Sequence, residues 1–255
     1  MQANGNTILV TGGGSGIGRA LAESLHSRGN RVIVAGRRLA LLQDVVRGKP
    51  GMDAVELDIE NAEAIRKFAD TLIARHPQLN VVIHNAGIMR PEDLRAGTAT
   101  AADAEATIAT NLLGPIRLTT ALLPHLLRQR SATVVTVTSG LAFVPLASFP
   151  TYCATKAALH SWTESLRYQM QGTAVEVVEL PPPYVQTELT GAHQAADPRA
   201  MPLAEFVAES MRLLTASPTP AEVLVERVKP LRFAAKGDYP GFFKTFNDAM
   251  AGERH

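Results

Sequence analysis

The amino-acid sequence predicts an α/β fold in which a doubly wound parallel sheet forms a single domain over residues 1–255. The first observation is that short β-branched runs alternate with longer segments of helical spacing along most of the chain. The second is that these short runs are almost continuously apolar, which is typical of parallel strands buried on both faces. The third is a glycine-rich segment directly after the first run. Ligands of such sheets bind beyond the carboxyl ends of the strands.

The predicted strands alternate with the predicted helices. The strands are Thr7–Val10, Arg31–Ala35, Ala54–Leu57, Val81–His84, Thr133–Val137 and Ala174–Leu180. The first helix contains Ile17, Leu21 and Leu25 at helical spacing and ends at Gly29. The other helices are Leu39–Val46, Ala62–Ala74, Ala101–Arg130, Thr151–Gln171 and Leu203–Leu214. In the long fourth helix we expect a kink or a local adjustment at Pro124.

The pattern is weaker after residue 180. Three prolines, Pro181–Pro183, predict a stiff exit from the last strand. Thr190–Pro202 contains glycine, histidine, aspartate and prolines, and it predicts a mobile loop. Ala221–Val228 fits either a last strand or a helix, and the pattern does not decide between them. We expect a substrate-binding loop and helix at about residues 188–216.

Composition and charge exclude several functional classes. The formal net charge of +1 gives no reason to expect nucleic acid or a membrane surface as a partner. No run of about 18 apolar residues predicts a membrane span, and no signal peptide is recognisable, so a cytoplasmic protein is expected. The single cysteine, Cys153, cannot form an intramolecular disulfide. No cluster with ligand spacing predicts a metal site.

The glycine-rich segment predicts a phosphate-binding loop of a Rossmann-type domain. It runs from Thr11 to Gly18, between the first strand and the first helix. Gly16 and Gly18 let the backbone approach a pyrophosphate, and the helix N-terminus presents free N–H groups to it. The alternative is a flexible turn without a ligand. The residues predicted to bind the cofactor here are Thr11, Gly12, Gly14, Ser15, Gly16, Ile17 and Gly18.

The end of the second strand predicts which dinucleotide is bound. A unit that binds NAD places a carboxylate there for the ribose 2′-hydroxyl. This chain has Gly36, followed by Arg37 and Arg38. A guanidinium binds a 2′-phosphate well, so NADP(H) is predicted in preference to NAD(H). The alternative is that both arginines only begin a solvated helix.

A tyrosine and a lysine, Tyr152 and Lys156, are spaced to share one face of a helix. A free tyrosine has a pKa of about 10, and a nearby ammonium lowers the pKa by favouring the phenolate. Ser139 follows the fifth strand, where its hydroxyl could hold a carbonyl oxygen. Together with the glycine loop, these residues predict proton-transfer chemistry beside a bound nucleotide.

These motifs identify the chain as resembling the short-chain dehydrogenase/reductase family, over nearly its whole length. The resemblance assigns catalytic roles to Asn111, Ser139, Tyr152 and Lys156. It assigns further cofactor contacts to Asp58, Ile59, Asn85, Ala86, Gly87, Val185 and Thr187, besides Tyr152 and Lys156. A proline pair, Pro182-Pro183, stands where the family has Pro-Gly. Together with the later stretch Glu226–Arg232, this pair makes the chain similar to the DltE-like branch.

The resemblance also implies a mechanism. Hydride passes from the nicotinamide to a carbonyl carbon, while Tyr152 gives a proton to the oxygen that Ser139 polarises. Lys156 binds the nicotinamide ribose and lowers the pKa of Tyr152, and Asn111 positions a water that relays protons to Lys156. A homodimer or homotetramer is implied as well.

The region after the fifth strand predicts the character of the substrate. Leu141, Phe143, Val144 and Phe149 suggest an apolar wall, so an apolar ketone, aldehyde or secondary alcohol is expected. The alternatives are a catalytically quiet NADP-binding or interaction protein, or a related reaction such as epimerisation or C=C reduction.

Several other side chains are predicted to have structural roles. Cys153 is expected to be a buried filler rather than a catalytic thiol. His84 stands where the family often has a second asparagine, and it is expected to be a packed strand residue, with a cofactor contact as the alternative. The histidines His125, His160 and His193 lie in different elements and have no predicted ligand role.

Overall fold

A six-stranded, all-parallel sheet forms the centre of the protein, in the order β3-β2-β1-β4-β5-β6. The computed structural model describes residues 1–96 and 100–251; residues 97–99 and 252–255 of the predicted domain lie outside this description. The strands are β1 Thr7–Thr11, β2 Arg31–Gly36, β3 Met52–Glu56, β4 Leu79–His84, β5 Ala132–Val137 and β6 Val175–Leu180. This confirms the doubly wound parallel sheet, and the strand order reverses between β1 and β4.

Helices cover both faces of the sheet. They are α1 Gly16–His26, α2 Leu39–Val46, α3 Ala62–Arg75, α4 Ala101–Ile108, α5 Gly114–Leu126, α6 Pro150–Gln169, α7 Ala192–Ala196, α8 Leu203–Leu214, α9 Lys229–Arg232 and α10 Tyr239–Ala251. Ile8 and Val10 of β1 belong to the core under α1 and α8, whereas Leu9 belongs to the core under α3 and α5. Burial on both faces explains the continuous apolar runs. Among the helices described, none is long and apolar enough to cross a membrane.

The long helical segment is irregular at a different place from the one predicted. Pro124 lies inside α5, which continues to Leu126. The adjustment is instead a five-residue π-helical turn, Ala109–Leu113, between α4 and α5. Its residue Asn111 is fully buried and bonds to the backbone of Ile88. The tertiary hydrogen bonds of Asn111, rather than the proline, therefore mark this irregularity.

The segment after β6 is held by one buried amide, whereas the sequence predicts a mobile loop there. Gln194 of α7 donates through Nε2 to Val185 O at 2.8 Å and to Thr187 Oγ1 at 3.0 Å. Its Oε1 accepts from the backbone N–H and the hydroxyl of Thr190. A parallel bridge between Val185 and Met201 closes the segment. These contacts fix the loop between β6 and α8.

The C-terminal region differs from both alternatives that the sequence leaves open. Ala221–Val228 forms neither a full strand nor an α-helix: Glu222 makes a single parallel bridge to Glu179, and Glu226–Val228 is a 3-10 turn. α10 was not predicted. Asp238 accepts from the N–H of Gly241 at its start, and this cap was a readable signal.

Candidate active site

The predicted phosphate loop joins β1 to α1 at the point where the strand order reverses. Gly12 has φ +65°, and a Cβ atom there would lie 2.9 Å from Ala86 Cα and from Asn85 Nδ2. Gly16 has φ +52°, and a Cβ atom on Gly18 would collide with Asn85 Nδ2 and Gly12 O. These glycines are therefore required by close packing and by left-handed backbone. They leave a backbone cradle that suits a pyrophosphate.

One threonine ties this loop to β4. Thr11 Oγ1 accepts from the N–H groups of Asn85 and Ala86, at 3.0 and 3.1 Å. The Thr11 hydroxyl donates to Ile83 O at 3.3 Å, and Asn85 Nδ2 donates to the backbone oxygen of Thr11 at 3.1 Å. The predicted residues of β1 and β4 therefore form one hydrogen-bonded junction.

The first turn of α1 faces this cradle. Ser15 precedes the helix in an extended conformation, and among the described residues its side chain bonds to no N–H of that turn. Gly14 lies against Leu42 of α2, since a Cβ atom there would be 3.3 Å from Leu42 Cδ2, and Ile17 packs against the core. The helix start therefore keeps N–H groups available for an anion.

The two arginines after β2 have different partners. Arg38 Nη2 donates to Ser15 Oγ at 3.1 Å, which brings its guanidinium to the glycine loop. Arg37 Nη1 lies 3.0 Å from Glu60 Oε1, in a solvent-exposed ion pair. Such exposed ion pairs contribute little stability, so a stronger ligand can displace them at low cost. Both guanidinium groups therefore remain available to a phosphate near Gly36.

The loop after β3 approaches the same edge of the sheet. Asp58 is exposed, and its carboxylate accepts from the N–H of Glu60 at 3.1 Å. Ile59 is buried against Gly114, where a Cβ atom would lie 2.5 Å from Ile59 Cγ1. The structure thus brings the loop of Asp58 and Ile59, two predicted cofactor contacts, beside the arginine pair.

Ser139, Tyr152 and Lys156 meet at the carboxyl end of β5. Tyr152 and Lys156 lie one turn apart on α6, and both are buried. Ser139 shares a hydrogen bond with Tyr152, and its Oγ accepts from Leu141 N at 3.1 Å. Lys156 Nζ donates to Val137 O at 2.8 Å and lies 5.6 Å from the centre of the Tyr152 ring. The three predicted groups therefore form one cluster.

Asn111 and Gly87 border the same cluster. Asn111 Oδ1 accepts from Ile88 N and its Nδ2 donates to Ile88 O, both at 2.9 Å. A Cβ atom on Gly87 would lie 3.3 Å from Asn111 Oδ1 and 3.8 Å from Lys156 Nζ. All four predicted catalytic residues thus converge at the edge that carries the glycine loop.

Burial dominates the electrostatics of this cluster. It raises the pKa of the Tyr152 phenol, and the hydrogen bond with Ser139 opposes that rise only in part. Burial also lowers the pKa of the Lys156 ammonium to about 8, against the opposing charge of Glu179. The predicted lowering of the Tyr152 pKa by Lys156 does not accompany this rise, in which desolvation of the phenolate is the largest effect.

The triple proline after β6 supports the site directly. Pro182 O accepts from Gly140 N at 2.8 Å, so the exit from β6 is bonded to the residue after Ser139. Thr187 lies beside the glycine loop, since a Cβ atom on Gly16 would be 3.5 Å from Thr187 Cβ. Val185 is buried. Pro183 therefore does not prevent Val185 and Thr187 from reaching the predicted cofactor edge.

A family model described as short chain dehydrogenase matches residues 6–198. The chain belongs to the short-chain dehydrogenase family. It is thereby an oxidoreductase of the short-chain dehydrogenase type.

Known proteins of this family resemble the chain over nearly its full length. The uncharacterized oxidoreductase DltE of Bacillus subtilis is 38% identical over 250 residues, covering 97% of this chain and 98% of the relative. A short chain dehydrogenase of Burkholderia cenocepacia, solved in complex with NADP, has TM-score 0.80, 27% identity and coverage of 96% and 98%. One from Burkholderia phymatum, solved in complex with NAD, has TM-score 0.78, 22% identity and 92% coverage of both chains, and it shows the fold alone.

The apolar surroundings of Tyr152 differ in part from the predicted wall. Leu141 and Phe149 do pack against the cluster of Leu146, Tyr152 and Cys153. Val144, in contrast, is fully buried in the interior. Phe143 is turned away, because its ring contacts His160 edge-on and Arg232 lies 4.7 Å above it.

The C-terminal helix supplies site residues that sequence reasoning missed. Phe246 and Met250 of α10 pack against the cluster around Tyr152. Asn247 fastens the helix there: its Oδ1 accepts from Ala147 N at 2.7 Å and its Nδ2 donates to Pro145 O at 3.1 Å. The spacing of aromatic residues and methionine in α10 could have predicted a helix. It could not have predicted that this helix packs beside Tyr152.

Two of the packing predictions are confirmed. His84 is buried, with Nε2 2.7 Å from Thr119 Oγ1, and burial lowers its pKa to about 4. Cys153 is buried beside Leu146, and burial raises the pKa of its thiol to about 11, which leaves the thiol protonated and a poor nucleophile at neutral pH.

Thr11→Val tests the junction between the glycine loop and β4. The substitution leaves two N–H groups without their acceptor, so we expect the free energy of unfolding to fall by about 1–3 kcal/mol. Urea denaturation measures it. Thr7→Val, at the start of the same strand, is the matched control and should lose less. Equal losses in the two variants would contradict the assigned role of Thr11.

Proposed function

We propose that this protein is an NADP(H)-dependent oxidoreductase that transfers hydride between the nicotinamide and an apolar ketone, aldehyde or secondary alcohol. The observation that carries the proposal is the convergence of Ser139, Tyr152, Lys156 and Asn111 at the edge that also holds the glycine loop. An acid–base pair beside a dinucleotide cradle suits hydride transfer coupled to proton transfer.

The cofactor would be held by residues that follow five of the strands. The glycine loop cradles its phosphates, and the two arginines, the loop after β3, Asn85–Gly87 and the Val185–Thr187 segment complete the site. When bound, the nicotinamide supplies or accepts the hydride. No metal ion is invoked in this proposal.

Ser139 and Tyr152 would act on the substrate oxygen, and Lys156 and Asn111 would support them. Ser139 donates a hydrogen bond to the carbonyl oxygen, and Tyr152 gives that oxygen a proton. Lys156 holds a positive charge near Tyr152, which favours the phenolate left after proton transfer. Asn111 holds the Ile88 backbone in place. The family resemblance implies that it also positions a water that relays protons to Lys156. In the oxidative direction Tyr152 takes the proton instead.

The preference for NADP(H) is supported by charge at the end of β2. Arg38 is bonded to Ser15 of the phosphate loop, and Arg37 lies beside it. Gly36 offers no carboxylate that would repel a 2′-phosphate. The relative from Burkholderia cenocepacia was solved with NADP, in line with this preference.

An apolar substrate is supported by the surroundings of Tyr152. Leu141, Phe149, Phe246 and Met250 pack around the tyrosine cluster, and residues 188–216 would border the opposite side. We also infer, from the family resemblance, a cytoplasmic homodimer or homotetramer, which the molar mass in solution tests.

Tyr152→Phe tests the catalytic assignment. The variant keeps the buried ring but loses the only proposed proton donor to the oxygen, so kcat should fall at least about 100-fold. Steady-state reduction of a panel of apolar ketones and aldehydes with NADPH measures it. Tyr168→Phe, on the exposed side of the same helix, should keep wild-type kcat. A Tyr152→Phe enzyme with more than about a tenth of wild-type kcat would refute the role of Tyr152.

Arg38→Ala tests the cofactor preference. We expect the Kd of NADPH to rise at least about tenfold, equivalent to about 1.4 kcal/mol, while the Kd of NADH stays unchanged. Arg37→Ala should act in the same direction, and calorimetry measures the Kd of both nucleotides for the wild type and for each variant. Arg47→Ala removes an exposed arginine at the far end of α2 and should change neither nucleotide's affinity. An unchanged NADPH affinity in both Arg37→Ala and Arg38→Ala would contradict the preference.

A further inference from the structure

A carboxylate is buried under α6, close to the candidate catalytic cluster. Glu179 of β6 has 0% of its surface exposed. Its Oε1 accepts from Thr138 Oγ1 at 2.6 Å, and its Oε2 lies 2.7 Å from His160 Nδ1. A buried carboxylate is unfavourable unless it is paired and hydrogen-bonded, and here both oxygens have partners.

Three consecutive residues at the end of β5 connect this carboxylate to the catalytic cluster. Val137 O accepts from Lys156 Nζ, Thr138 donates to Glu179, and Ser139 bonds to Tyr152. His160 lies one turn after Lys156 on α6, on the same face of the helix. The backbone that carries Ser139 is therefore anchored by Glu179 as well as by Lys156.

The charge of Glu179 acts on Lys156. Burial disfavours the ammonium, and it lowers the pKa of Lys156 to about 8 although the negative charge of Glu179 opposes this effect. Both groups are buried, so water and salt screen their interaction little.

The other charged groups around Glu179 belong to three elements. On α6, His160 faces Glu179 directly, and Glu164 lies 3.7 Å from His160 Nε2. The segment after α8 contributes Glu222, and Arg232 Nε of α9 donates a hydrogen bond to Glu222 Oε1 at 2.8 Å. The pairing with Glu179 raises the pKa of His160.

Ligand atoms of His160, Glu179 and Glu222 lie within 4.8 Å of one another, the spacing of a possible metal site. Both oxygens of Glu179 already have hydrogen-bond partners, and the guanidinium of Arg232 already donates a hydrogen bond to the Glu222 carboxylate. A cation at this position would be opposed by the Arg232 charge and would have to displace these partners. The arrangement is therefore that of an ion-pair network.

We propose that Glu179, held by Thr138 and His160, is a positioning residue that keeps Lys156 charged and fixes the Val137–Ser139 backbone. Its effect on Lys156 is a property of the folded chain. Only its consequence for catalysis rests on the function proposed above.

The first experiment measures the protonation of Lys156 without any activity assay. NMR of protein labelled with 13C at lysine Cε follows each lysine against pH, and the Lys156→Arg variant identifies its signal. Glu179→Gln keeps the size of the side chain and removes its charge, so the midpoint of Lys156 should fall by at least about half a pH unit. Glu164→Gln, an exposed carboxylate that also faces His160, should leave the midpoint in place.

A folded Glu179→Gln protein with the wild-type Lys156 midpoint would overturn the proposal. His160→Gln provides a second variant if Glu179→Gln does not fold, because it breaks the pair but keeps the carboxylate. The titration midpoint of Lys156 in this variant should be no lower than in the wild type. A lower midpoint would count against the Glu179 charge as the group that raises the pKa of Lys156.

The second readout is the pH profile of carbonyl reduction. Loss of the Glu179 charge should move the alkaline limb of kcat/KM to lower pH, while a purely structural defect would lower kcat/KM equally at every pH. Glu179→Asp, which retains a carboxylate, should restore the wild-type limb, and an unshifted limb in Glu179→Gln would contradict the catalytic consequence. If the wild type reduces no carbonyl compound, the proposed function fails while the NMR titration still decides the role of Glu179.

Discussion

The close approach of β1 and β4, where the strand order reverses, is the constraint on which the candidate site depends. Gly12 and Gly18 leave no room for side chains against Asn85 and Ala86, and the Thr11 hydroxyl joins the two strand ends. Because parallel strands end at one edge of a sheet, the phosphate cradle and the end of β5 are then neighbours. The proposed chemistry at Tyr152 and the proposed nucleotide binding at the glycine loop thus share one structural support.

Most of the fold could be predicted from local pattern, because strands buried on both faces and amphipathic helices leave a periodic signal. All six strands and the helices through α6 lie within a few residues of their predicted positions, and α8 matches its predicted bounds. The failures are tertiary in origin. The π-helical turn is marked by bonds between Asn111 and Ile88, and the loop after β6 is held by the buried amide of Gln194, neither of which a local pattern reveals.

The positions of the candidate site residues could be predicted from compact sequence motifs. Their pKa values and their buried partners could not, because these depend on burial in the folded chain. The placement of Ser139, Tyr152, Lys156 and Asn111 followed from motif resemblance, and the structure brings them together. The upward shift of the Tyr152 pKa did not follow, because spacing carries no information on desolvation. The pairing of His160 with Glu179 was likewise missed, since the two residues lie on different elements and meet only in the folded chain.

Transfer of deuterium from the cofactor is the most direct test of the central claim that this site moves hydride to a carbonyl carbon. The protein would be incubated with an apolar ketone and NADPH deuterated at either face of nicotinamide C4, and the alcohol analysed by mass spectrometry. We expect one deuterium on the carbinol carbon from one of the two labelled cofactors, and none from the other. Alcohol formed without deuterium from either cofactor, or no alcohol from any ketone or aldehyde tested although NADPH binds, would contradict hydride transfer to a carbonyl carbon.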